Sequence, residues 1–377
     1  MHKKLSRKAV VEVQFNWLFI MIVGAIILIF FITIAGKYKA SAEKNLASDV
    51  LKRLSTISTS GQMSSDTNSL IDIKDVDLSI GCDPELCTEL GCFSEFDFAD
   101  QGINSPAWMD IEPLFAPRKI KDDFIITWSL DWNMPFKVCS ILYITYPGYR
   151  YIIVYEKDDT DSEFFADDLY FKLKENKHMF VEKATTDEIE TIEREDELFT
   201  KYIFTFVPDP TESYPIDDSI QKTGNWDVIY LDSGTTDDPM ETGKAYYSKI
   251  DNGQVVPDDT RKAPYLGTPL LIAAIYSDDY EYYTCNLKKI MLKYRDILAI
   301  YDYKIRKMHE YYTTYDTVCC YYYSTNTLDK LKNINTTLDD IENDITGFET
   351  GTGTISSNVA ELDDINERAL DKCNRMY

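Results

Sequence analysis

Histidine and glycine are scarce in this chain, three and 15 residues among 377, and each scarcity argues against a class of chemistry. Only His178 and His309 lie beyond the N-terminal apolar run, and no G-x-S-x-G is present, so a serine-type triad lacks its nucleophile turn and a choice of bases. No glycine-rich loop follows a strand. The turn after YRYIIVYE reads KDDTDSE, and acid at a helix start repels phosphate, which argues against a nucleotide site. Positive charge is short as well: 39 Lys+Arg stand against 64 Asp+Glu, a net charge of −25. Such a surface repels nucleic acid and anionic headgroups. No cofactor is implied.

What is present begins with one long apolar run, Phe15 to Ala35, FNWLFIMIVGAIILIFFITIA, without a charge. A bilayer core needs about 20 such residues as a helix. Lys3, Lys4, Arg7 and Lys8 precede it, whereas Lys37, Lys39 and Lys44 beyond it are accompanied by Glu43. The bias of basic residues places the N-terminus in the cytoplasm and the remainder outside. Ser41-Ala42 after Ala40 is a weak match to a signal-peptidase site, so the run is expected to stay as an anchor. The membrane is thus the first expected partner.

All eight cysteines fall on the far side of this run: Cys82, Cys87, Cys92, Cys139, Cys285, Cys319, Cys320 and Cys373. An even set in an oxidising compartment predicts disulfides, with connectivity open. The C-x4-C-x4-C spacing of Cys82, Cys87 and Cys92 is not the knuckle that places two thiolates on one zinc. Adjacent Cys319 and Cys320 are expected to reach different partners.

Periodicity divides the rest. The boundaries read as a basic tail 1–14, a spanning helix 15–35, a juxtamembrane helical stalk 36–62, an extracytoplasmic domain 63–277 and a helical region 278–377. Leu46, Val50, Leu54 and Ile57 continue an apolar helical stripe, stopped at Ser58 to Gly61. SLIDIKDVDLSIGC, with Ile71, Ile73, Val76, Leu78 and Ile80, alternates as a half-buried strand. FIITWSLDW, SILYITYP and YRYIIVYE are strand-like. From Tyr149 strands alternate with the helical patterns SEFFADDLYFKLKE and TDEIETIERE, through HMFVEKA, KYIFTFVPD and NWDVIYLD, arguing for βαβ units. AYYSKIDNGQVV reads as a hairpin turning at Asp251-Asn252-Gly253, and PLLIAAIYS as a buried strand. A helix opened by Asp278 or Asp279 presents Leu287, Ile290, Met291, Tyr294, Ile297, Tyr301, Ile305 and Met308. Two further helices, separated by a Gly-Thr turn at Thr350 to Thr354, form an αα-hairpin. The predicted fold class is an α/β (α+β) ectodomain with a mixed sheet and a C-terminal helical hairpin, on a single N-terminal transmembrane helix.

Local motifs supply the remaining candidates. VIYL followed by Asp232-Ser233-Gly234-Thr235-Thr236 resembles the catalytic loop of aspartic proteases. That chemistry needs two carboxylates sharing a proton, and no second D-[ST]-G appears. Asp232 is therefore a candidate for a membrane-anchored hydrolase, set against a turn in which it bonds its own backbone. Asp158, Asp159, Asp161 and Glu163 are candidate calcium ligands, set against acids that complement a helix dipole. Asn335-Thr336-Thr337 is a glycosylation acceptor sequence.

Lys8-Ala9-Val10-Val11, then Glu12 and the apolar run, resembles the class III signal of archaeal type IV pilin-like proteins. The resemblance implies cleavage after Ala9 on the cytoplasmic side, with Glu12 pairing with a neighbouring subunit during assembly. Partners would then be other surface or pilus-like subunits. Glu12 departs from the family at the third mature position rather than the fifth, and the size of the ectodomain suits a minor or pseudopilin. VEVQFNW before an apolar run, together with the segment from Pro135-Phe136-Lys137 through Pro147, also resembles uncharacterised archaeal single-pass membrane proteins. From these features the expected role is structural or adhesive, through binding rather than turnover.

Overall fold

The computed structural model describes residues 7–63, 66–73, 77–82, 94–97, 107–109, 113–192, 198–208, 226–233, 240–251, 254–315, 317–343, 346–369, 373 and 376–377. Its first element is a single helix, α1 (Arg7–Met63), whose 57 residues extend roughly 85 Å at ~1.5 Å per residue. The part from Trp17 to Lys39 is long and apolar enough to cross a membrane, and none of it is covered by the rest of the chain. Thr33 hides its hydroxyl there by donating to the carbonyl of Ile29 at 2.8 Å.

The far end of α1 has a different environment. Val50 and Leu54, one turn apart and therefore on one face, are 2% and 1% exposed. They pack with Ile71, Ile73, Leu78, Ile80, Ile125 and Ile144. The stripe foreseen for a stalk is thus docked into the head at these residues, and the helix runs past Gly61 to Met63.

Two small sheets receive α1. One orders β1 (Thr67–Asp72), β7 (Phe124–Asn133), β8 (Lys137–Thr145) and β5 (Leu114–Phe115). The other orders β4 (Ala107–Met109), β3 (Ser94–Asp97), β2 (Asp77–Cys82) and β6 (Lys119–Lys121). The single strand expected over 69–82 is two strands assigned to different sheets; Val76 lies outside the described residues.

The largest sheet has six strands in the order β10 (Phe180–Thr185), β9 (Tyr149–Tyr155), β11 (Phe199–Phe204), β12 (Trp226–Asp232), β13 (Thr242–Asp251) and β14 (Gln254–Leu266). The first four are mutually parallel and the last two antiparallel, a mixed sheet built around a βαβ unit. Helix α2 (Thr160–Lys174) makes the crossover from β9 to β10, burying Phe165, Ala166, Leu169 and Leu173. TDEIETIERE is a short 3-10 helix at Thr186–Thr191, and its last residues lie outside the described set. Asp251 pairs with Gln254, as a hairpin with two connecting residues requires; Asn252 and Gly253 lie outside the described residues.

PLLIAAIYS corrects the sequence reading. It is helix α3 (Thr268–Tyr276), with every residue from Leu270 to Tyr276 buried. A helix enclosed on all sides carries no polar stripe, so its sequence has the same continuous apolar look as a buried strand. Pro269 in the first turn and Gly267, held at φ 80°, were the signals for a helix start. Strands β5, β7 and β8 on one side and β14 on another enclose it.

Helix α4 (Tyr280–Tyr315) follows, with Leu287, Ile290, Met291, Tyr294 and Ile305 buried as the periodicity foresaw. A short α5 (Thr317–Tyr322) leads to α6 (Thr325–Asn343) and α7 (Thr346–Ala369), which pack together as the expected αα-hairpin. The Gly-Thr turn at 350–354 is a second correction, because those residues are inside α7. Gly351 there faces the Thr337 side chain so closely that a Cβ would collide with it, so this glycine serves close helix packing rather than a turn.

Leu54→Ala should lower the stability of the folded head by about 2–5 kcal/mol, the range for a buried leucine. Tyr38→Ala, at a position 80% exposed, should change it by less than about 0.5 kcal/mol. Denaturant unfolding in detergent measures both.

Candidate functional site

The most chemically unusual place is a largely buried cluster of charges at the leading ends of strands of the largest sheet. Lys201, the third residue of β11, has no exposed surface, although a lysine normally keeps its ammonium in water. Its Nζ donates to the carbonyl of Ser277 at 2.6 Å and lies 2.8 Å from Asp227 Oδ2. Parallel pairing puts Lys201 opposite Asp227 on one side and opposite Tyr151 on the other.

Asp278, between α3 and α4, completes the group. It accepts from the Tyr149 hydroxyl at 2.9 Å and from the Arg118 backbone N–H at 2.9 Å. Burial pushes its pKa up to about 6; the Lys201 charge opposes that rise and Asp227 reinforces it. Neighbouring Asp279 caps α4 by accepting from the Tyr282 N–H at 2.8 Å and forms an ion pair with the Arg118 guanidinium. Aromatic rings close the surroundings: Tyr149 stacks on Tyr151 at 4.8 Å, and Tyr151 on Tyr276 at 5.8 Å. Burial holds the Tyr149 and Tyr151 hydroxyls well above their usual pKa, so both remain neutral.

Two features show what this site can do. Tyr149, Lys201 and Asp227 lie at the N-terminal ends of parallel strands, whereas ligands of open α/β sheets bind outside the carboxyl ends. An amine without exposed surface also cannot reach a dissolved substrate. Its chemistry is confined to the groups packed against it.

The sequence reading named Asp278 and Asp279 only as a helix start and passed over Lys201 and Asp227. The signal was a charge at the leading end of two otherwise apolar strands, K-YIF and D-VIYL.

The foreseen candidates are dispersed. Asp232 ends β12, half-buried, opposite Lys244, and its carbonyl accepts from the Tyr265 hydroxyl at 3.4 Å. Gly234, Thr235 and Thr236 lie outside the described residues. Asp159 is the N-cap of α2, taking the Asp161 N–H at 3.0 Å, and Asp161 and Glu163 occupy the first turn. Asp158 lies in the turn just before them. Among the described residues, no three His, Cys, Asp or Glu side chains are grouped to hold a metal ion. Asn335 is half-buried on α6, 3.4 Å from Asp339 Oδ2. Glu12 lies within α1, and its side chain is outside the described set.

The cysteines divide. Cys82 bridges to Cys285, tying β2 to α4, and Cys319 bridges to Cys373. Cys139 and Cys320 are thiols, which corrects the expectation that all eight pair. Cys139 is buried on β8. Cys320 sits 3.5 Å from His309 Nδ1 and 3.3 Å from Thr313 Oγ1, so Cys319 and Cys320 do have different neighbours. Cys87 and Cys92 lie outside the described residues. His178 is exposed in the loop after α2.

A shallow cleft of about 520 Å³ opens at the edge strand β10, lined by Arg150, Tyr170, Val181, Glu182, Lys183 and Ile192. Its charges are matched internally, Arg150 with Glu182 and Lys183 with Asp167.

In comparisons with known proteins, the chain matches no family model, no curated protein and no solved structure.

Asp278 gives a pH prediction. An acid whose pKa is raised on folding contributes stability that is full below its ordinary value, near 3.8, and is lost as pH rises through about 6. The stability of the native chain relative to Asp278→Asn should therefore increase on acidification from pH 7 to pH 4. Urea unfolding of both proteins across that range measures it, and a flat or opposite difference refutes the assignment.

Proposed function

We propose that this chain is a single-pass membrane-anchored protein with a cytoplasmic N-terminus, holding its α/β head outside the cell in a structural or adhesive role through binding rather than turnover. The carrying observation is α1: one uninterrupted helix whose apolar part is bare and whose far end lies in the core of the head. A bare apolar helix of this length is stable only when something other than water surrounds it. The four basic residues before the run favour the stated orientation. Two disulfides on the far side suit an oxidising exterior. The acidic surface keeps the head away from anionic headgroups.

A pilin-like subunit is the second reading, and the same helix favours it. A rod with a bare apolar part and a docked far end resembles an assembly helix, and Glu12 lies near its start. In that case further copies would surround the rod after cleavage behind Ala9.

Membrane fractionation tests the anchor. The full chain should stay in the pellet after alkaline carbonate washing, and a chain lacking residues 1–39 should not. Release of the full chain refutes the anchor. N-terminal sequencing of the mature protein separates the two readings: a start at Val10 identifies the pilin-like route, and an intact start refutes it.

A further inference from the structure

Lys201 and Asp227 are direct neighbours on adjacent parallel strands, so their side chains rise from the same face of the sheet. Asp227 Oδ2 is buried, accepts no directed hydrogen bond, and stands 2.8 Å from Lys201 Nζ. The hydrogen bond from Nζ to the Ser277 carbonyl holds the nitrogen in place. This is a fixed amine–carboxyl contact in which Lys201 and the Asp227 Oδ2 atom are shielded from water, although the Asp227 side chain as a whole is 20% exposed.

We propose that Lys201 and Asp227 join as an intramolecular isopeptide bond, a permanent cross-link between β11 and β12. Nζ bonds to Asp227 Cγ, one Cγ–O bond breaks, and the two protons that the ammonium gives up leave with that oxygen as water. Ammonium and carboxylate become amide and water, so the step balances without oxidant, metal or activated co-substrate.

In water this condensation is blocked because the amine is protonated and the carboxylate is a poor electrophile. Here the two groups are held against each other with Nζ and Oδ2 out of contact with water. A buried ion pair has lost hydration that its mutual attraction repays only in part. The forms that condense are the neutral amine and the neutral acid, which one proton passing from Nζ to the carboxylate would produce.

Asp278 is the group placed to relay that proton. It is buried beside the pair, accepting from Tyr149 next to Lys201's strand neighbour Tyr151, near enough for its charge to interact with both Lys201 and Asp227, and burial raises its pKa to about 6. Its two hydrogen bonds, from Tyr149 and the Arg118 backbone, fix its orientation. The other charges nearby are occupied by each other, Arg118 with Asp279.

The cross-link replaces a buried charge pair by a neutral amide and closes a covalent loop over the connection between β11 and β12. It survives reducing agents, unlike the two disulfides. It is also independent of the membrane reading, since Lys201 Nζ and Asp227 Oδ2 meet within the fold in either compartment.

The test is peptide mass spectrometry on the full chain, purified in detergent, denatured, reduced and digested with trypsin. The expected result is a branched peptide joining the segments of Lys201 and Asp227, lighter than their sum by one water, with no cleavage after Lys201. Asp278→Asn should slow its formation about a hundredfold, the scale of a lost proton relay, and Lys201→Arg should abolish it. Native protein in which both residues are recovered in separate, unmodified peptides overturns the proposal, whatever the variants do. A branched peptide that persists in Lys201→Arg overturns it as well. Formation at an unchanged rate in Asp278→Asn overturns the relay.

Discussion

Val50 and Leu54 are the contact on which the architecture depends, because they tie the helix that carries the long apolar segment into the head's own core. Each is an aliphatic side chain removed almost wholly from water, and full burial of such a group is worth about 1.5–3 kcal/mol. Together they amount to a substantial fraction of the roughly 5–15 kcal/mol that keeps a domain folded. The head therefore cannot swing freely on a tether. Val50 stands eleven positions beyond Lys39, the end of the apolar segment, along continuous helix, or roughly 16 Å at ~1.5 Å per residue, so the rod sets how far the head stands from whatever surrounds that segment.

A second junction binds the layers of the head. Ser277, Asp278 and Asp279 form the corner between the fully enclosed α3 and the long α4, and they face the leading ends of β9, β11 and β12. Through Lys201, Tyr149 and Arg118 this corner fastens the largest sheet to the loop before β6. A cationic group without solvent contact is costly unless every neighbour is arranged for it, and here the neighbours come from segments far apart in sequence. The Cys82–Cys285 bridge adds a covalent tie between β2 and α4. Both devices hold elements that the chain would otherwise bring together only through apolar packing.

Much of this was legible from residues. The run Phe15 to Ala35 reads as a membrane-length helix by composition alone. Asp159 before TDSEFFADDLYFKLK and Asp279 before the α4 stripe are cap signals, and both side chains accept backbone N–H groups as such signals predict. The strands β7, β8 and β9 announce themselves by β-branched and aromatic residues. What failed has a common cause: periodicity reports how many faces of an element are covered, not what the element is. PLLIAAIYS is apolar at every angle because α3 is covered at every angle. Gly351 resembled a turn residue, but its small size serves the crossing of α6 and α7. The Lys201–Asp227 contact depends on β11 lying beside β12 in one particular register, and neither strand's sequence carries that information.

The central proposal is a chain held by one apolar helix with its head outside the cell. Addition of a non-specific protease to intact cells, followed by detection of the N-terminal and C-terminal ends separately, addresses this most directly. The account predicts that the C-terminal region is degraded while a fragment containing Met1 or Val10 and the apolar part of α1 survives in the membrane. Full protection of the C-terminal region until the membrane is permeabilised, with its cysteines all recovered as thiols, would contradict it.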